Sequence, residues 1–246
     1  MNKFIFLFGL FFCCKTALSQ VGVKEVKHIN QTWIGLNGNW FLNKHYFIQA
    51  DMHFRENDFF ATNSFFLARA GLGYQFNPNL YISSGYAFLE SAPINEGFST
   101  RGIENRIYQQ FGYNHQLNNK CLITQRIRNE QRWQEVIVND VKTGAIRFSN
   151  RVRYLLGFTI PVFKNTKMPQ LVVSDELLVQ FGKDIVYNTF DQNRLLIGIK
   201  QKISKSLAYD FGYMDVYQQR TNGYSYIQSN TLRLFLYYNH QPKKNQ

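Results

Sequence analysis

Two stretches, Leu122-Ile-Thr-Gln-Arg-Ile-Arg-Asn-Glu-Gln-Arg-Trp133 and Ala145-Ile-Arg-Phe-Ser-Asn-Arg-Val-Arg-Tyr-Leu-Leu-Gly-Phe-Thr-Ile160, decide the fold. In the first, Thr124, Arg126, Arg128, Glu130 and Arg132 fall at every second position, with Ile123, Ile127 and Trp133 among the residues between them. In the second, Arg147, Ser149, Arg151 and Arg153 alternate with Ile146, Phe148, Val152 and Tyr154, and the apolar side continues through Leu156, Phe158 and Ile160. Successive side chains of a strand point to opposite faces, so each stretch reads as a strand with a charged face and an apolar face. On a helix the same arginines would wrap around the axis. The polar segment Gln134 to Gly144 is expected to be a loop that makes the two strands antiparallel neighbours.

Six arginines and one glutamate on one sheet face do not suit a dry core, where unpaired charges are hardly ever buried. They suit a water-containing or salt-bridged lumen. With an apolar, aromatic opposite face, the expected fold class is all-β, an antiparallel transmembrane β-barrel with lipid outside and polar groups inside.

The rest of the composition agrees. The chain has 246 residues, 17% of them aromatic, with 23 Phe and 15 Tyr. Its mean hydropathy is nevertheless negative, and no interior run reaches the roughly 18 apolar residues of a spanning helix. Alternating strands explain both, because averaging over two faces hides the apolar one. At the N-terminus, Lys3, the apolar run Phe4 to Phe12 and Ala17-Leu-Ser19 read as a secretion signal cleaved near Ser19. The residues before Cys13 and Cys14 lack the small side chains of a lipoprotein signal. Cleavage would leave Cys121 alone, without a partner for an intrachain disulfide. The expected organisation is a signal peptide over 1–19, one barrel domain over 20–240 and a polar tail over 241–246. The formal charge of +12 becomes +10 on loss of Lys3 and Lys15. A basic balance favours nucleic acid, an anionic membrane surface or anionic solutes, and export argues against nucleic acid.

The same alternation recurs along the chain. It is visible at Thr32 to Phe41, Tyr46 to Arg55, Phe66 to Phe76, Leu80 to Leu89 and Ile103 to Gln116, and after the central pair at Phe190 to Ile203, Leu207 to Gln218 and Ile227 to Asn239. Gln170 to Phe181 is also strand-like, but both of its faces are largely apolar and its register stays open. That makes eleven strands by pattern. Short turns follow the odd-numbered ones, among them Asn118-Asn119 and Phe163 to Pro169, and longer connections follow the even-numbered ones. Outer-membrane barrels keep short turns on the periplasmic side. A chain entering from the periplasm then needs one more crossing, which Val21 to Asn30 could supply. The expected count is twelve, with ten as the alternative.

Arg128-Asn-Glu-Gln-Arg132, Asn150-Arg-Val-Arg-Tyr154, Asp175-Glu176, Phe190-Asp-Gln-Asn-Arg-Leu-Leu-Ile-Gly198 and Gly212-Tyr213 resemble the family called domain of unknown function 2490. The resemblance spans nearly the whole chain after the signal. It implies an outer-membrane β-barrel of a Gram-negative cell and assigns no catalytic residue. The C-terminus departs from the common barrel ending on an aromatic, because His240 and a polar tail follow Tyr237-Tyr238.

The residues expected to face the lumen are Arg106, Arg126, Arg128, Glu130, Arg132, Arg147, Arg151, Arg153, Glu176 and Arg194, with Asp51, His53, Arg55, Arg69, Glu104, Lys200 and Asp210 on the same faces. Arginine suits this place because its planar fork bonds carboxylates or phosphates bidentately and stays charged. Bases outnumber acids in this set. It can therefore be a narrow porin-like pore or binding site for small anionic solutes, or a closed structural lumen in which each carboxylate is shared among guanidiniums. A soluble periplasmic lipocalin-like binder, with the apolar face turned inward, is a third reading. An outer-membrane hydrolase is disfavoured: no histidine lies in a nucleophile motif, and His53 beside Asp51 reads as a lumenal hydrogen bond. The lone Cys121 and scattered histidines have no metal-ligand spacing. The expectation is thus no enzyme, no cofactor and no metal. The expected partners are outer-membrane lipid, a small anionic solute and the barrel-assembly machinery during biogenesis, without nucleic acid.

Overall fold

The computed structural model describes residues 23–93, 97–117, 120–163, 165 and 168–240. The expected signal segment with Cys13 and Cys14, the turn expected at Asn118-Asn119 and the tail expected at 241–246 lie outside the described residues.

Eleven strands form the molecule: β1 (Glu25–Phe41), β2 (Tyr46–Asn57), β3 (Thr62–Asn77), β4 (Leu80–Ser91), β5 (Gly102–Leu117), β6 (Cys121–Val138), β7 (Val141–Ile160), β8 (Gln170–Phe181), β9 (Phe190–Lys202), β10 (Leu207–Gln219) and β11 (Ser225–His240). They close into one barrel in the order β1-β11-β10-β9-β8-β7-β6-β5-β4-β3-β2. Every sequential pair is antiparallel. The seam is different: β1 and β11 run parallel, in register from Glu25↔Ser225 to Trp40↔His240.

This seam corrects the expected count of twelve, and with it the alternative of ten. Among the described residues Val21 to Asn30 makes no separate crossing; from Glu25 onward it is the first part of the 17-residue β1. An unpaired edge exposes a row of N–H and C=O groups, which closure removes. With an odd number of strands the first and last run the same way, and a parallel ladder pairs both edges. The twelfth strand follows only from short periplasmic turns combined with a chain that enters from the periplasm, regularities of known barrels that closure does not require.

The connection between β6 and β7 is a second correction. Gln134 to Gly144 does not form a loop: both strands run on to a two-residue turn at Asn139 and Asp140, with φ of 50° and 63°. That left-handed backbone suits Asn and Asp and matches the twist of a hairpin. Val136, Ile137, Val138 and Val141 have the branched side chains that strands favour. The loop-length contrast is correspondingly weaker than the pattern suggests, since the seventh connection, residues 161–169, is longer than the sixth.

The open register of β8 is fixed by its neighbours. Val172, Ser174, Glu176, Leu178 and Gln180 point inward, while Asp175 points outward and accepts a 2.6 Å hydrogen bond from Asn193 Nδ2. Both faces of β8 read as apolar because Leu178, an inward residue, is fully buried and Val172 packs on an apolar patch inside the lumen.

The barrel is partly filled by its own side chains. Phe47 and Tyr81 project inward and rest on Gly73 and Gly112, where any Cβ would overlap the rings. Phe41 packs against Phe47, which in turn meets Tyr81 edge to face. Outside, Leu36, Ile48, Leu72, Ile107, Phe111, Ile127, Leu195, Ile197 and Leu234 are exposed. That apolar surface is interrupted by polar residues bonded to one another, such as Gln109 with Asn129 and Gln131.

Candidate functional site

β5 to β9 turn their charged faces to the lumen as a continuous wall. The pairing places Arg106 opposite Arg132, Arg128 opposite Arg153 and Glu130 opposite Arg151. Like charges directly opposite each other are destabilising unless acids intervene, and three glutamates do so. Glu130 accepts from Arg151 at 2.5 Å and from Arg153 at 2.9 Å, with Arg106 at 3.6 Å. Glu176 holds Arg126 at 2.6 Å, Arg153 at 2.8 Å and Arg194 at 3.3 Å. Glu104 accepts from Arg106 at 2.5 Å, Arg132 at 2.6 Å and Gln134 at 2.9 Å.

All ten residues expected in the lumen lie there: Arg106, Arg126, Arg128, Arg132, Arg147, Arg151, Arg153, Glu176 and Arg194 line one cavity, and Glu130 is buried behind them. The cavity encloses about 850 Å³ and reaches from Pro93 and Thr221, in connections at one end of the barrel, to Lys200 and Thr159 near the other. Two smaller ion-pair groups complete the interior. Arg69 donates to Asp51 at 2.7 and 2.8 Å, and Arg233 donates to Asp210 at 2.7 and 3.1 Å. His53 Nε2 lies 3.0 Å from Asn37 Oδ1 and 3.7 Å from Asp51 Oδ1.

The acids do not balance the bases. On the strands, Arg55, Arg69, Arg106, Arg126, Arg128, Arg132, Arg147, Arg151, Arg153, Arg194, Lys200 and Arg233 face Asp51, Glu104, Glu130, Glu176, Asp191 and Asp210, twelve bases against six carboxylates, and Arg220, in the connection after β10, also reaches the cavity. Some of these bases rely on neutral groups. Arg128 Nε donates to Gln110 Oε1 at 2.8 Å and is 3.9 Å from Glu130. Arg147 donates to Gln134 at 2.9 Å, and Lys200 sits over the Tyr237 ring.

Several lumenal residues escape a sequence reading. Asp191 accepts from Arg151 at 2.8 Å, yet strict alternation would turn it outward, because its neighbour Gln192 is also buried. A register shift between Leu178 and Val179, opposite this point, lets both residues face in. Nothing local in the sequence marks that bulge. Arg233, Phe235 and Tyr237, in contrast, alternate with Leu232, Leu234 and Leu236 and were open to reading from the last strand. Among the described residues no group of three or more His, Cys, Asp or Glu is arranged to hold a metal ion.

The family model described as "Protein of unknown function (DUF2490)" matches residues 30–243. The chain belongs to this family. The match covers all of the arginine wall, so the lumen described above belongs to the family's own domain. Among solved structures, the beta domain of the Bordetella autotransporter Brka is similar at 11% identity over 75% of this chain and 81% of that one, with a TM-score of 0.44. No curated protein matches the chain.

Proposed function

We propose that this protein is an outer-membrane β-barrel whose lumen admits and binds small anionic solutes. The observation that carries the reading is the excess of bases over carboxylates around a cavity of about 850 Å³. A net excess of six positive charges, held among low-dielectric walls, creates a positive potential that concentrates anions and repels cations. The exposed apolar residues around the barrel support the membrane setting, and Met1 to Ser19 serves as the export signal. If the short turns face the periplasm, the end of the cavity at Pro93 and Thr221 faces the exterior. No chemical step is assigned. His53 serves as a hydrogen-bonding partner in the wall, and the protein acts by binding and passage without an enzymatic reaction, cofactor or metal. Its lasting partner is the surrounding lipid, and the assembly machinery acts on it during insertion.

A closed lumen is the competing reading, favoured by Phe41, Phe47 and Tyr81 packed together inside the barrel. Ion flux separates the two. Proteoliposomes holding the mature chain and a chloride-sensitive dye should show chloride entry well above that of protein-free vesicles, with potassium entry much slower. Equal entry of both ions, or entry no faster than in empty vesicles, contradicts the anion-selective reading.

A further inference from the structure

The cavity wall has two kinds of chemistry. Beside the arginines, Trp33, Leu196, Met214 and Val216 are buried against one another, with Val172 and Phe235 packed against them. All six line the same cavity as the guanidiniums. A lumen that served only to hydrate and pass inorganic ions gains nothing from an apolar wall, whereas sites for organic ligands combine apolar lining with a few fixed polar groups.

Arg55 stands where the two chemistries meet. Its guanidinium carbon is 3.7 Å from the centroid of the Trp33 ring and 4.1 Å from that of Phe65. Both rings therefore pack closely against the guanidinium. Among the described residues no hydrogen bond or ion pair reaches this side chain, and its Nε is buried without a partner. The other lumenal arginines on the strands each have at least one oxygen acceptor, and Arg220, in the connection after β10, is exposed to solvent. A buried donor left unmade is costly, so an acceptor arriving at this guanidinium gains more than one arriving elsewhere on the wall. Trp33, which stacks on Arg55, also belongs to the apolar cluster.

We infer that the lumen takes an amphipathic carboxylate, with its head in the plane of the Arg55 guanidinium and its aliphatic body along Trp33, Leu196, Met214 and Val216. This rests on the anionic-solute reading and names the class of solute. A planar carboxylate matches one guanidinium edge with two parallel hydrogen bonds. The volume of about 850 Å³ is within the range of sites for drug-sized organic ligands and exceeds what an inorganic ion fills.

The mature barrel, refolded in a nonionic detergent, can be titrated by calorimetry with octanoate, acetate, octanol and inorganic phosphate. Octanoate should bind at least about tenfold more tightly than each of the other three, because only octanoate engages both walls. Arg55→Gln should weaken octanoate by about tenfold, the size of one lost charge-assisted pair. Met214→Gln should weaken octanoate and leave phosphate unchanged. Octanol binding as well as octanoate overturns the inference, because the head would then contribute nothing. Octanoate and phosphate binding equally overturns the amphipathic site but leaves the anionic lumen standing. No binding by any of the anions removes both. The ligand series on the wild-type chain decides among these outcomes even if a variant does not fold.

Discussion

Glu130 shows how the interior is held together one residue at a time. Its two oxygens meet Arg151 and Arg153 directly and Arg106 at longer range. Removing one partner of a buried ion pair leaves the others uncompensated, which typically costs about 3–5 kcal/mol. Glu130→Gln should therefore destabilise the folded barrel by about 3 kcal/mol, the lower end because Asp191 and Glu176 still serve the two strongest partners. Urea unfolding, followed by the gel mobility of folded and unfolded forms, measures this. Arg55→Gln, which removes only ring stacking, should stay within about 1 kcal/mol of wild type in the same assay. If Glu130→Gln unfolds with the wild-type midpoint, the carboxylate does not hold the wall. At this scale alternation alone was enough to turn Arg126, Arg128 and Arg132 inward. It could not do so for Asp191, which is the extra residue of a bulge in β9, left unpaired between Phe190 and Gln192.

The β6–β7 hairpin shows the same limit at the scale of an element. Gln134 to Gly144 is polar enough to suggest a loop, yet the strands continue to the Asn139-Asp140 turn. The turn is tied to the β4–β5 connection: the Asp140 carboxylate accepts from Ser99 N at 2.9 Å, from Thr100 N at 2.7 Å and from the Ser99 hydroxyl at 3.2 Å. No sequence pattern joins residues forty positions apart in this way. The backbone N–H groups of Ser99 and then Thr100 hold the Asp140 carboxyl below the ordinary aspartate range. A folded value lower than the unfolded one means that the contact contributes above about pH 4 and is lost as pH falls through the depressed value. Hydrogen exchange at the Ser99 and Thr100 amides, corrected for the intrinsic effect of pH, should accelerate as pH drops below about 4. In Asp140→Ala it should be fast at every pH. Protection that survives both changes would mean that the carboxylate is not the anchor.

For the whole molecule, the two-residue period was enough to indicate a closed sheet with a charged inside, and eleven strands could be counted from it. The parallel seam could not be read, because the pairing of β1 with β11 joins the two ends of the barrel and leaves no local trace. The positive lumen is likewise a property of the assembled barrel. No strand carries more than four bases, and β4, β8 and β10 carry none; closure brings twelve of them around one cavity with six carboxylates. The central claim, that this imbalance selects anions, is tested most directly by the reversal potential of the refolded barrel in a planar bilayer under a potassium chloride gradient. The expected potential is close to the chloride equilibrium value and moves toward zero in a barrel carrying Arg55→Gln and Arg147→Gln. A reversal potential of zero or toward potassium in the wild-type barrel, or the absence of conductance from correctly folded protein, would contradict it.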